Sequence, residues 1–466
     1  MDATKVRRFR EQIKRFRQRF AQGGTGALGN LLGQAELERW LARYSVGCRQ
    51  RIDSPLITLG MFVDQVLSAD HSCQDAVARG VSARVSQGQR PCALNNGPYC
   101  KARLRLAPAL LTERCNATGR RLVKAQPSGW RGRGREVKLI DGTTMSMPDT
   151  AANQRAYPQV SQHKAGLGFP IVRMVGIISL GCGAILEWAV GPCEGKKRGE
   201  PSMLWSMGAG MGGGDIVLAD RYYAGYFMLA RLLSQGVDVV RRQHQLRHTR
   251  FQRGVHLGKC DPIVLWPRPA RPAWMDKAPY AAMPETLRLR ECRVGGWILL
   301  SSLCDANAVS KQDLHELYCW RWHIELDFRA IKAVMQMDVL RCKSPAMIDQ
   351  EIAAHLLAYN LVRSVMAQAA AWAILLPRPL SFKGALQQLR AFERNLRHGR
   401  CVFVAQALDA LLIGIAPLRL PIRPARAAPR ALKRRGKNLP FLTRPRREER
   451  PRLMALRQQY TRPLMA

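Results

Sequence analysis

Glu316-Leu-Tyr-Cys-Trp-Arg-Trp-His-Ile-Glu-Leu-Asp-Phe-Arg-Ala-Ile-Lys332 contains neither glycine nor proline, so nothing in it breaks a helix. Stepping about 100° per residue from Tyr318 puts Arg321, Glu325 and Lys332 within roughly 60° of it around the axis. One stripe therefore carries a phenol, a guanidinium, a carboxylate and an ammonium. Leu317, Ile324, Phe328 and Ile331 form an adjacent apolar stripe able to pack on a core. Asp327 falls about 200° round from Glu325 and faces away. Taken alone, a carboxylate between two cations reads as a salt-bridged surface. The rest of the chain decides otherwise.

Two aspartates close short apolar runs, Val137-Lys-Leu-Ile-Asp141-Gly-Thr-Thr144 and Asp215-Ile-Val-Leu-Ala-Asp220-Arg-Tyr222. Each run reads as a buried strand with a carboxylate at its carboxyl end, where open α/β sheets place their chemistry. Asp149 lies in a loop after Met147-Pro148, and Asp215 precedes its strand, so both are set aside. Two strand-end carboxylates and one helix carboxylate suit a site for two Mg²⁺ ions acting on a phosphodiester, because magnesium takes oxygen ligands. His323 is a base by residue type, but two-metal chemistry activates water without one. Thr143 and Thr144 are expected only to stabilise the turn after Asp141.

The order Asp141, Asp220, Glu325, with the glutamate inside Tyr-x-x-Arg-x-x-x-Glu-x-x-x-x-x-x-Lys, resembles the DDE transposases of bacterial insertion sequences. It is similar in particular to insertion sequence family four, over roughly residues 55 to 365. The resemblance implies a ribonuclease H-like α/β fold, a mixed sheet flanked by helices with a β-rich insertion and a helical N-terminal DNA-binding region. It also implies Mg²⁺ (two per site, Mn²⁺ substituting) on Asp141, Asp220 and Glu325. Tyr318, Arg321 and Lys332 are implied to hold DNA. The implied activity is transposition: binding of terminal inverted repeats, excision and strand transfer, with a hairpin intermediate. The implied partners are double-stranded DNA, as repeats and target, and a second copy in a homodimeric synaptic complex. The alternatives are a catalytically dead DNA-binding regulator and a structure-specific nuclease of the same fold.

Composition points the same way. Among 466 residues, 74 Lys and Arg face 34 Asp and Glu, a net charge of +40 that calls for a polyanion partner. No 18-residue apolar run appears; the nearest, His355 to Leu376, is interrupted by Asn360, Arg363, Ser364 and Gln368 and reads as a core helix. With no secretory signal, and 13 scattered cysteines lacking any Cys-x-x-Cys pair, the expected location is cytoplasmic, on the nucleoid.

The order along the chain suggests these parts. Residues 1–34 form a basic arm and glycine linker; 35–115 a helical DNA-binding region, with a capping box at Ser72 and Asp75 and a basic helix carrying Lys101, Arg103 and Arg105. Residues 116–135 read as a basic linker. Residues 136–376 form the catalytic domain in the order β-β-β-α-β-α-β, with a β-rich subdomain inserted at about 243–306. The resemblance implies that an aromatic there receives a flipped base, with Trp297 and Trp266 as candidates, though core packing is the more usual fate of a tryptophan. Residues 377–416 read as a helical pair and 417–466 as a disordered basic tail.

Overall fold

Val137–Ser146 (β1) is an interior strand of the sheet, and a computed structural model gives the rest for residues 53–195, 199–398, 401–420 and 443–461. The arm expected at 1–34, the region up to 52, and residues 421–442 and 462–466 of the tail lie outside the described residues. Strands Ile171–Ser179 (β2) and Ile185–Pro192 (β3) follow β1 as an antiparallel meander turned at Gly183, whose φ of +75° suits glycine. Ile216–Ala219 (β4) and Asp238–Arg242 (β5) join parallel to β1. The order β3-β2-β1-β4-β5 is the ribonuclease H-like arrangement expected. β4 is buried at every position, as a parallel strand covered on both faces must be.

The insertion is not a separate subdomain. Its strands Val255–Gly258 (β6), Asp261–Pro267 (β7), Thr286–Val294 (β8) and Trp297–Ser301 (β9) continue the same sheet, giving β3-β2-β1-β4-β5-β9-β8-β7-β6. β9 pairs with β5 through Val240–Ser301, Arg241–Leu300 and Arg242–Leu299. Apolar alternation shows that these are strands but not which edge they pair with, and β5 had a free edge to offer.

Helices Pro55–Leu67 (α1), Cys73–Ser86 (α2), Gly97–Leu104 (α3) and Pro108–Ala125 (α4) make up the N-terminal region. Ser72 caps α2, its hydroxyl accepting from Asp75 N at 3.0 Å. Two expectations change here. Arg103 is not offered to DNA; it is buried, with its guanidinium 3.8 Å above the Phe62 ring. The expected linker from 116 is, as far as 125, the second half of α4, whose Leu110, Leu111 and Cys115 are buried against the core.

The long helix Pro345–Trp372 (α11) is buried on nearly every side, so it reads as apolar without being a membrane span. No helix among the described residues is long and apolar enough to cross a membrane. Of its polar interruptions, Asn360 is satisfied internally: it accepts from Ile185 N at 2.8 Å and donates to Ile185 O and Cys115 O. Phe382–His398 and Cys401–Ile415 form the C-terminal helical pair. Within the segment expected to be a disordered tail, Arg446–Thr461 is helical.

Candidate active site

The strand predicted to end at Asp141 runs on to Ser146, because β2 still pairs with it along its other edge. What does end is the parallel ladder, whose last pair is Ile140–Ala219. Asp141 and Asp220 are the next residues on each strand, so register alone makes them neighbours. Asp220 turns directly into a 3₁₀ turn, Arg221–Tyr223, and caps it by accepting from Tyr222 N at 2.6 Å. Asp141 accepts from Gly142 N at 2.8 Å.

The stretch Glu316–Lys332 is helical throughout but not one α-helix. Lys311–Cys319 (α9) passes through a 3₁₀ turn at Trp320–Trp322 into His323–Arg329 (α10), then a π-turn at Ala330–Val334. These turns tighten and then widen the winding, so the uniform 100° step holds only locally. Arg321 sits in the tight turn and reaches across to β1. Its guanidinium donates to Asp141 Oδ2 and to Glu325 Oε1, each at 3.1 Å. Arg321 and Glu325 thus meet Asp141 as expected. Lys332, in the π-turn, makes no hydrogen bond or ion pair with them.

Tyr318 departs from expectation. It is 4% exposed and packed edge-on against Trp297 at 5.4 Å; burial raises its pKa, and the nearby Arg321 charge draws it back. A phenol so covered stands beside Arg321 inside the protein rather than on an open surface. Of the two tryptophan candidates, Trp266 is excluded as a base receptor: it is buried, donates to Glu291 at 2.8 Å and is covered by Arg247 at 3.5 Å. Trp297 is half-buried among Tyr318, His315 and Arg242.

Asp327 faces away, as its phase requires. It is fully buried and paired with Arg363 and Arg378, while Tyr359 donates to it at 3.0 Å. His323 lies on that side, where burial and then the Arg378 charge lower its pKa to about 4. It is neutral at neutral pH. Asp149 is held by Gln154 and Asp215 by Lys138, the latter at 2.7 Å.

The electrostatics mark a site in need of positive charge. Burial, followed by the charges of Asp220 and Glu200, pushes Asp141 up to about 6, although Gly142 N–H and Arg321 pull it down. Among the described residues no three His, Cys, Asp or Glu side chains stand close enough together to hold a metal ion. The Arg321 guanidinium stands between Asp141 and Glu325 and donates to both. By donor type, carboxylate oxygens suit a hard cation.

Glu200 and Arg241 belong to this neighbourhood and were not found from sequence. Glu200 opens the helix Glu200–Ser206 (α6) and accepts from Tyr223 OH at 2.9 Å. Arg241 is 0% exposed on β5 and donates to the Tyr223 carbonyl. Neither carries a spacing that singles it out.

A family model described as the transposase DDE domain matches residues 132–361, spanning all three carboxylates. The chain is 29% identical over 316 residues to the transposase InsG of insertion sequence element IS4 from Escherichia coli strain K12, covering 65% of this chain and 68% of that one. A solved structure, the piggyBac transposase synaptic complex with hairpin DNA, aligns over 84% of this chain and 83% of its own with 10% identity and a TM-score of 0.41. So distant a likeness decides nothing about this chain's chemistry. The family model and the sequence relative fall on the segment that carries the carboxylates and the signature, and together they support a DDE transposase of the insertion-sequence-four family, a DNA-cleaving and strand-transfer enzyme.

Proposed function

We propose that the chain moves an insertion sequence by cut and paste, binding the terminal inverted repeats as a homodimer in a synaptic complex. The reading rests on one observation: Asp141 and Glu325 share the Arg321 guanidinium, with Asp220 beside Asp141 at the end of the parallel ladder. Asp141, Asp220 and Glu325 would hold two Mg²⁺, with Mn²⁺ able to substitute. Bound there, the ions would polarise the scissile phosphate and lower the pKa of the attacking water.

The chain's own residues do the rest. Arg321 neutralises the carboxylates in the free protein and, released from them, is placed to clamp a phosphate with two parallel N–H donors. Tyr318 stands beside that guanidinium. Lys332 adds a point charge further along the same helical stretch. Together they would hold the terminal phosphate while the freed 3′-OH attacks the opposite strand, forming the hairpin that is reopened before joining to target DNA. The excess of basic residues would supply the sequence-independent part of DNA binding on the chromosome in the cytoplasm.

The test is a strand-transfer assay on a duplex carrying the element's terminal repeat. Nicked, hairpin and joined products are expected with Mg²⁺ and none with EDTA. Binding without cleavage would favour the inactive regulator, and cleavage without joining the nuclease.

A further inference from the structure

We propose that Glu200 is a positioning residue of the transposition reaction, tying the strand that carries Asp141 to the turn that carries Asp220. The inference rests on the reading of those two aspartates as the reacting-site carboxylates. The parallel ladder between β1 and β4 stops at Ile140–Ala219, so no backbone hydrogen bond between these strands fixes Asp141 relative to Asp220 beyond it. Glu200 spans that gap. On one side its Oε2 accepts from the hydroxyl of Tyr223, a residue 1% exposed that closes the turn Asp220 caps. The Tyr223 carbonyl is in turn held by the buried Arg241.

On the other side the Glu200 carboxylate rests on Gly142. A Cβ built at 142 would lie 2.3 Å from both Cδ and Oε1 of Glu200. Real contacts are essentially never so short, so a side chain at 142 would shift the carboxylate, the free end of a flexible side chain, from its place against Tyr223. The glycine after Asp141 is thus needed for a neighbour's side chain rather than for its own backbone. Arg173 Nε lies 3.8 Å from Oε1 of the same carboxylate.

The experiment compares Glu200→Ala, Gly142→Ala, their double variant, Glu200→Gln and Tyr223→Phe in the full chain. It measures the single-turnover nicking rate and the Kd for terminal-repeat DNA. Losing one hydrogen bond to a charged group predicts about a tenfold slower nicking rate in Glu200→Ala and in Tyr223→Phe, with Kd unchanged. Gly142→Ala should match them, and the double variant should be no slower than either single one, because both changes remove the same tie. Glu200→Gln still accepts from Tyr223 and should recover most of the rate. Additive losses, a normal rate in Glu200→Ala, or no rescue by glutamine would each overturn the proposal. Should the alanine variants fail to fold, Glu200→Gln at full rate beside a slowed Tyr223→Phe supports it, and the reverse sinks it. Normal nicking by Asp141→Ala would instead remove the site reading beneath it.

Discussion

Replacing Asp141 with asparagine is expected to stabilise the metal-free protein at pH 8. Burial, Asp220 and Glu200 raise this carboxyl from 3.8 to about 6. A rise of that size corresponds to about 3 kcal/mol, at about 1.4 kcal/mol for each tenfold change in the proton equilibrium. Because the folded-state pKa is the higher one, the native state binds more protons than the unfolded chain between pH 4 and pH 6. Stability therefore falls as pH rises through that window, and the full cost of the charge is present above it. Asparagine carries no charge there and keeps one of the two acceptor oxygens, enough for Gly142 N, while Arg321 still bonds Glu325. In EDTA at pH 8 the variant should melt a few degrees above wild type, the gain shrinking towards pH 4. Added Mg²⁺ should reverse the order, stabilising wild type by linkage and leaving the variant unmoved. Melting followed by scanning fluorimetry at both pH values decides the matter. A lower Tm for Asp141→Asn in EDTA at pH 8 would show the carboxylate to be an ordinary structural ion-pair partner, in a site with no demand for a cation.

The remaining predictions address other parts of the molecule. Asp327→Ala should cost about 3–5 kcal/mol, because it strands Arg363 and Arg378 in the interior; a change in melting worth less than about 1 kcal/mol would contradict the buried network. Arg321→Ala should slow hairpin formation about tenfold to a hundredfold and Lys332→Ala somewhat less, with first-strand nicking surviving both better than it survives Glu325→Ala. Equal loss of nicking in all three would show that the stripe is not divided between cation ligand and phosphate clamp. Removing residues 417–466 should flatten the dependence of non-specific DNA binding on salt, each lost phosphate contact lowering the slope by about one. An unaltered slope would mean the tail does not touch DNA.

Much of this was legible in the sequence where one physical rule governs. Continuous apolar runs gave β4 and the first half of β1, and the aspartates that follow those runs are neighbours because the parallel ladder stops at Ile140–Ala219. Asp327 was correctly turned away from Glu325, since over two residues no winding change intervenes. Over longer distances the rule weakened. The 3₁₀ and π-turns of Trp320–Trp322 and Ala330–Val334 interrupt the uniform winding, and the spacing of apolar residues gives no sign of them. Arg103 was misplaced for a related reason: its charge suggested an exposed surface, while a ring face and two thiols receive its guanidinium inside. Glu200 was invisible because its role depends on the empty space above Gly142, a feature of two segments far apart in the chain.

The nine-stranded continuity of the sheet has a mechanical consequence. β9 is hydrogen-bonded to β5, and β5 to the strand that delivers Asp220, so the inserted hairpins and that carboxylate belong to one continuous ladder. Trp297 begins β9 and touches Tyr318, which lies beside the Arg321 charge. A force on the inserted strands, such as the recoil of a sharply bent duplex end, would therefore be borne in shear by the ladder, without a hinge to dissipate it, and would reach Arg321 within two side-chain contacts. The same continuity means the inserted segment cannot be exchanged as a cassette: cutting it out would bare the edge of β5 and leave an adhesive strand beside the reaction centre.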